Sequence, residues 1–201
     1  KEDRSLKLET RKEYKFLLSN NELLKLSKIF QSKLSSIHPE REISSLYMDT
    51  IDLKLFKDSQ LFDVDKIKFR YRKYSNDNNI YFEIKENNKL GKFKKTENTN
   101  YKNFKEIKNL FFKDLLLEPT IEINYIRNYY KYKNLRITID KGLNYKLPSN
   151  RSRSKIKKNY QKNIIEYKLN TSNDPDIEKY FVSNPTKFSK YEEGINLLYN
   201  F

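Results

Sequence analysis

The chain has 201 residues, 36% hydrophobic and 14% aromatic, long enough for one large domain whose core leans on 16 Tyr and 13 Phe. Its net charge of +15 calls for a polyanionic partner, although part of the excess is ordinary lysine-rich surface. The absence of cysteine excludes disulfides and thiolate metal sites, a single histidine (His38) excludes a poly-His site, and no apolar run of about 18 residues is present to span a membrane as a helix.

In chain order, period-2 alternation over 5–18 predicts a strand with Tyr14 and Phe16 on one face and Arg11, Glu13 and Lys15 on the other. Ser19-x-x-Glu22 is a capping box that opens a helix carrying Leu23, Leu26, Phe30 and Leu34. A strand over 43–49 follows, then a helical turn or two over 52–58. Lys66–Lys73, KIKFRYRK, alternates strictly: Lys68, Arg70 and Arg72 share a face with Lys66, roughly 6.6 Å apart. The polar turn 75–79 returns the chain into a strand over 80–86, and a strand over 92–97 follows in which either Lys94 or Lys95 shares the face of the other cations. Phe104, Ile107, Phe111 and Leu115 predict an amphipathic helix over 101–116. Strands are expected at 120–130, 134–140 and 163–169, with a basic loop around 148–158 between the last two. Asp174 and Pro175 predict a short helix start, and Phe188, Tyr191, Ile195 and Leu198 a final helix.

Most of these strands are apolar on one face and carry charges of both signs on the other. An open antiparallel sheet with one wet face accounts for this. So does a sheet curled into a barrel, with helices outside and the charges lining a lumen. Buried charges require partners, and a lumen rich in cations with a few carboxylates would be satisfied by a phosphate chain and a divalent metal. Arg suits bidentate phosphate contact, and carboxylate and phosphate oxygens together suit Mg²⁺ or Mn²⁺.

The ordered set Arg11-x-Glu13-x-Lys15, Ser45-Leu-Tyr47-Met-Asp49, Lys68-x-Arg70-x-Arg72, Glu83-x-Lys85, Tyr125-x-Arg127, Arg136-Ile-Thr138-Ile-Asp140, Glu166-x-Lys168 and Ser189-Lys190-Tyr191 resembles the VTC domain, the polyphosphate polymerase domain among the triphosphate tunnel metalloenzymes, in its bacterial form. The resemblance covers nearly all of residues 1–201 as a single domain. It implies an α+β fold: an antiparallel β-barrel, or tunnel, of about eight strands with helices outside and a C-terminal helix at one mouth. It further implies that Arg11, Lys15, Lys68, Arg70, Arg72, Lys85, Arg127, Arg136, Lys168 and Lys190 bind phosphates. Glu166 would be the main metal ligand, with Glu13 and Glu83 as candidates, and Lys15, Arg70, Arg72 and Glu166 would carry catalysis with Mn²⁺ or Mg²⁺.

The activity this resemblance implies is transfer of the ATP γ-phosphate to a polyphosphate chain. A hydrolase of tripolyphosphate or nucleoside triphosphates on the same site, and a non-enzymatic polyphosphate binder, are the alternatives. ATP and polyphosphate or another triphosphate are the expected partners. Nucleic acid is disfavoured, because the aromatics fall mostly on the face opposite the charges and leave little for bases to stack on. With no signal peptide visible, a cytoplasmic location is expected.

Overall fold

A computed structural model describes residues 12–30, 33–61, 65–89, 91–148, 156–169 and 177–200. Among them are ten strands and three α-helices. In chain order these are β1 (Lys12–Leu18), α1 (Asn20–Ile29), β2 (Ser35–Asp49), α2 (Lys54–Gln60), β3 (Lys66–Tyr74), β4 (Ile80–Asn88), β5 (Gly91–Asn98), β6 (Leu110–Phe112), β7 (Leu115–Tyr132), β8 (Leu135–Lys146), β9 (Lys157–Asn159), β10 (Asn163–Leu169) and α3 (Lys190–Tyr199). The fold is α+β on an antiparallel sheet, hydrogen-bonded in the order β1-β10-β8-β7-β2-β3-β4-β5, with β6 on β7 and β9 on β8. The chain divides into two compact units: Lys1–Glu40 with Asn128–Asp140 and Lys162–Lys187, and Arg41–Arg127 with Lys141–Gln161 and Phe188–Phe201.

In the first unit, alternation on β1 sends Phe16 and Leu18 inward against Ile165 and Tyr167 of β10 and Ile137 of β8. Helix α1 covers this face with Leu26 and Phe30. The capping box is real: Ser19 Oγ accepts from Glu22 N at 3.2 Å, and Glu22 Oε2 accepts from Ser19 N at 2.8 Å. Phe30 stacks on Tyr180 with ring centres 5.3 Å apart, and the Tyr167 hydroxyl donates to the Tyr180 carbonyl at 2.9 Å.

In the second unit, Leu46 and Met48 of β2, Phe69 and Tyr71 of β3 and Ile80 of β4 form an apolar face closed by Ile107 and Leu117. The opposite face carries the charges, and it is covered too. Tyr191 of α3 stacks on Tyr47 of β2 (5.1 Å between centres, 17° between planes). Gly194 brings the α3 backbone so close that an added Cβ would lie 2.4 Å from Ile121 Cδ1 and 2.5 Å from the Tyr145 ring.

The helix expected over 101–116 is absent. One 3₁₀ turn, Phe104–Glu106, is followed by the β6–β7 hairpin, whose turn places Lys113 at φ 50°. The helical spacing was coincidental: Ile107 is buried against the second unit's core, whereas Phe111 is 76% exposed on a three-residue strand. Strands β2, β7 and β8 run longer than the predicted spans. Pro119 sits within β7. The short helix start at Asp174 and Pro175, the basic loop from 149 to 155 and the strand before Lys12 lie outside the described residues.

Gly194→Ala tests the seating of α3. Alanine raises helix propensity by up to about 1 kcal/mol, yet here its methyl would displace a buried tyrosine ring. The expected result is net destabilisation of about 1–3 kcal/mol in chemical denaturation; a stabilised variant would mean that α3 does not sit this close.

Candidate functional site

The register on the second unit's polar face sets the site. Across β2, β3 and β4, Ser45 lies opposite Arg72, which lies opposite Tyr81; Tyr47 lies opposite Arg70, which lies opposite Glu83. One step along, Lys68 of β3, Lys85 of β4 and Lys94 of β5 form a cross-strand row. Like charges directly opposite one another repel, so this row favours an anion lying over it. Arg70 and Arg72 are 7% and 6% exposed.

Each guanidinium is held by named partners. Arg70 Nε donates to Glu83 Oε2 at 2.6 Å, and its Nη1 donates to the Tyr47 hydroxyl oxygen at 2.8 Å. Arg72 Nε donates to Ser45 Oγ at 3.0 Å and its Nη2 to the Tyr125 hydroxyl oxygen at 3.3 Å. Glu83 is 1% exposed; its second oxygen takes the Lys94 ammonium at 2.7 Å. Burial alone would raise the Glu83 carboxyl, but Arg70 and Arg72 outweigh it and hold the pKa at about 2. Burial likewise pushes the Tyr47 phenol up, and the charges of Arg70 and Arg72 bring it down to about 7.

Helix α3 joins this face at its first turn. Lys68 Nζ donates to Ser189 Oγ at 2.8 Å and to Glu192 Oε1 at 2.6 Å. Lys190 Nζ stands 4.9 Å from the centre of the Tyr125 ring, and the Arg127 guanidinium stands 5.3 Å from it. Of the two lysines left open by the sequence, Lys94 turns to the cationic face, whereas Lys95 pairs with the exposed Glu97. Asp49 is a structural carboxylate. It accepts from the backbone N–H groups of Leu55 and Phe56 at 2.9 Å each, at the start of α2, and from the Tyr191 hydroxyl.

The first unit holds a second polar set. Lys15 lies opposite Glu166, which lies opposite Thr138; Glu13 lies opposite Lys168, which lies opposite Arg136. Lys168 Nζ bridges Glu13 (2.9 Å) and Glu166 (3.2 Å). Two carboxylates converging on one cation fit Mg²⁺ or Mn²⁺, which is often held by one or two carboxylates with phosphate oxygens completing the shell. Thr138 Oγ1, next to Glu166 on the neighbouring strand, is buried with no hydrogen-bond partner among the described residues, so the spot can take a further polar ligand. Glu83, the third metal candidate from the sequence, has both oxygens on cations and fits a metal poorly. No group of three or more acidic or histidine side chains is placed to hold a metal among the described residues. Arg11 lies outside them.

Sequence reasoning missed Glu83 as the clamp of the arginines and Tyr47 as the hydrogen-bond acceptor of Arg70. The signal was present: both lie opposite Arg70 once the two hairpin registers are aligned. Tyr47, Tyr74, Tyr81 and Tyr125 share the polar face or its hydrogen bonds, whereas Phe69, Tyr71 and Phe82 fall on the apolar one.

Comparison with solved structures defines the class of fold. A proposed adenylate cyclase from Bacillus halodurans superposes with a TM-score of 0.60 at 14% identity, over 90% of this chain and 95% of that one. A second proposed adenylate cyclase, from Vibrio parahaemolyticus, gives 0.53 at 12% over 92% and 97%. A Pyrococcus horikoshii protein gives 0.55 at 12% over 95% and 99%. At these identities the likeness is one of fold. The VTC domain matches residues 10–100 and 91–199, so the chain belongs to the VTC domain family and, through it, to the triphosphate tunnel metalloenzymes. No curated protein matches the chain in sequence.

The Tyr47 environment makes a pH prediction. A tyrosine ordinarily titrates near 10, so a folded value of about 7 means that the unfolded chain holds more protons between those limits. Stability from this group is absent below about pH 7 and grows as pH rises toward 10. Ultraviolet absorbance of the folded protein is expected to show one tyrosinate forming near neutral pH, and Tyr47→Phe should remove that step. A first tyrosinate appearing only above pH 9 would show that the arginines do not act on this phenol.

Proposed function

We propose that the protein is a metal-dependent polyphosphate polymerase that moves the γ-phosphate of ATP onto a polyphosphate chain. The observation that supports it most is the buried pair Arg70 and Arg72 beside the Lys68–Lys85–Lys94 row, five cations gathered on one face around the carboxylates Glu83 and Glu192. The VTC domain match adds the expectation of a triphosphate substrate.

In this reading the terminal oxygen of the chain attacks the γ-phosphorus, the bond to the β-phosphate oxygen breaks, and ADP leaves. Phosphoryl transfer asks little covalent chemistry of a protein; it asks for alignment and neutralisation of charge on the phosphate oxygens. Arg70 and Arg72, locked by Glu83, Tyr47, Ser45 and Tyr125, present preset guanidiniums that need not reorganise. Lys68, Lys85, Arg127 and Lys190 add phosphate contacts. In the first unit, Lys15, Arg136 and Lys168 would bind phosphate, while Glu166 and Glu13 would hold Mg²⁺ or Mn²⁺. The metal would supply charge neutralisation on phosphate oxygens.

The test is incubation with ATP and Mn²⁺ or Mg²⁺, with products run on a gel stained for polyphosphate and free phosphate assayed in parallel. Long chains accompanied by ADP are expected; free phosphate without chains would move the assignment to a hydrolase. Arg70→Ala with Arg72→Ala should weaken triphosphate binding at least about 100-fold, from the loss of several charge-assisted hydrogen bonds, with folding checked by circular dichroism. Glu166→Ala should abolish metal-dependent turnover while polyphosphate binding persists; surviving turnover would remove Glu166 from the metal site.

A further inference from the structure

Beyond the arginines, the polar face of the second unit does not end in solvent-facing charge. It continues into a cavity of about 300 Å³ lined by Arg41, Tyr74, Asn76, Asp77 and Tyr81. The register makes this cavity the next rung of the cationic row. Tyr74 follows Arg72 by two residues on β3, hence on the same face and roughly 6.8 Å further along. Tyr81 of β4 lies directly opposite Arg72, and Ile43 of β2, two residues after Arg41, lies opposite Tyr74.

The lining has the chemistry of a base-binding pocket. The Tyr74 and Tyr81 rings, in edge-to-face contact with 6.1 Å between centres and 67° between planes, both line it and supply aromatic surface for a planar ligand. The Arg41 guanidinium lies 6.0 Å from the centre of the Tyr74 ring, adding a planar cation. Asp77, in the β3–β4 turn, is fixed by the Tyr81 hydroxyl and by the Asn79 N–H at 2.9 Å. A carboxylate has about four acceptor positions, so Asp77 retains capacity for the amino group of a base. At the other end of the row stand ammonium groups, Lys68, Lys85 and Lys94.

We propose that the Arg41–Tyr74–Asp77–Tyr81 cavity is the nucleoside subsite for a nucleoside triphosphate with an amino-bearing base, whose phosphates run along Arg72 and Arg70 with the terminal phosphate toward Lys68. This inference rests on the phosphate-gripping reading above. It adds the place of the nucleoside and the polarity of the donor: the base lies at the β3–β4 turn. An acceptor chain therefore approaches from the Lys68 end.

Calorimetric titration of wild type and of a Tyr74→Ala, Tyr81→Ala variant with ATP and, separately, with inorganic tripolyphosphate tests it. Stacking on an aromatic ring is worth about 1–3 kcal/mol per base. The variant should therefore bind ATP about tenfold or more weakly while its tripolyphosphate affinity is unchanged, which also shows that the phosphate row is still folded. Equal loss for both ligands, or no loss for ATP, overturns the subsite while leaving phosphate binding in place. Wild type that binds neither ligand overturns the phosphate reading and the subsite together.

Discussion

Two guanidiniums buried in the middle of a sheet cannot stand without an anion, and Glu83 is the anion on which Arg70 and Arg72 depend. A buried ion pair of this kind adds little net stability, since desolvation offsets most of the attraction, while loss of one partner is costly because it strands the other charge. What the arrangement does provide is position. Arg70 is fixed between a carboxylate on β4 and a phenol on β2, and Arg72 between a serine on β2 and a phenol on β7. The guanidiniums are oriented before any ligand arrives, which is the condition under which charge stabilisation serves phosphoryl transfer best.

The same face explains why helix α3 is where it is. A sheet face carrying Lys68, Arg70 and Arg72 offers little apolar area to a helix, so α3 docks through mixed contacts. Tyr191 stacks on Tyr47, Glu192 pairs with Lys68, and Gly194 removes a side chain where the backbone meets Ile121 and Tyr145. Lys68 thus has two duties, holding the helix and standing at one end of the cationic row.

Where a period of two ran unbroken, the fold was legible in the sequence. The alternation of KIKFRYRK located β3 and its cationic face, and Ser19-x-x-Glu22 located the start of α1, because each is a local rule that tertiary packing had no cause to override. Residues 101–116 failed for the opposite reason. Four apolar residues at helical spacing suit a hairpin equally when the turn is made by a lysine at positive φ, and no glycine or asparagine announced that turn. Lys94 could be told from Lys95 only by the β4–β5 register, and the hold of Glu83 on Arg70 and Lys94 could be seen only across strands.

Asp49 joins three elements with one side chain. It ends β2, accepts the backbone N–H groups of Leu55 and Phe56 as α2 begins, and takes the Tyr191 hydroxyl from α3. Releasing any one of these donors leaves a buried carboxylate less fully satisfied, at a cost of about 1–3 kcal/mol. The end of β2, the first turn of α2 and the first turn of α3 are thereby tied through one carboxylate, although more than 130 residues separate Phe56 from Tyr191 along the chain.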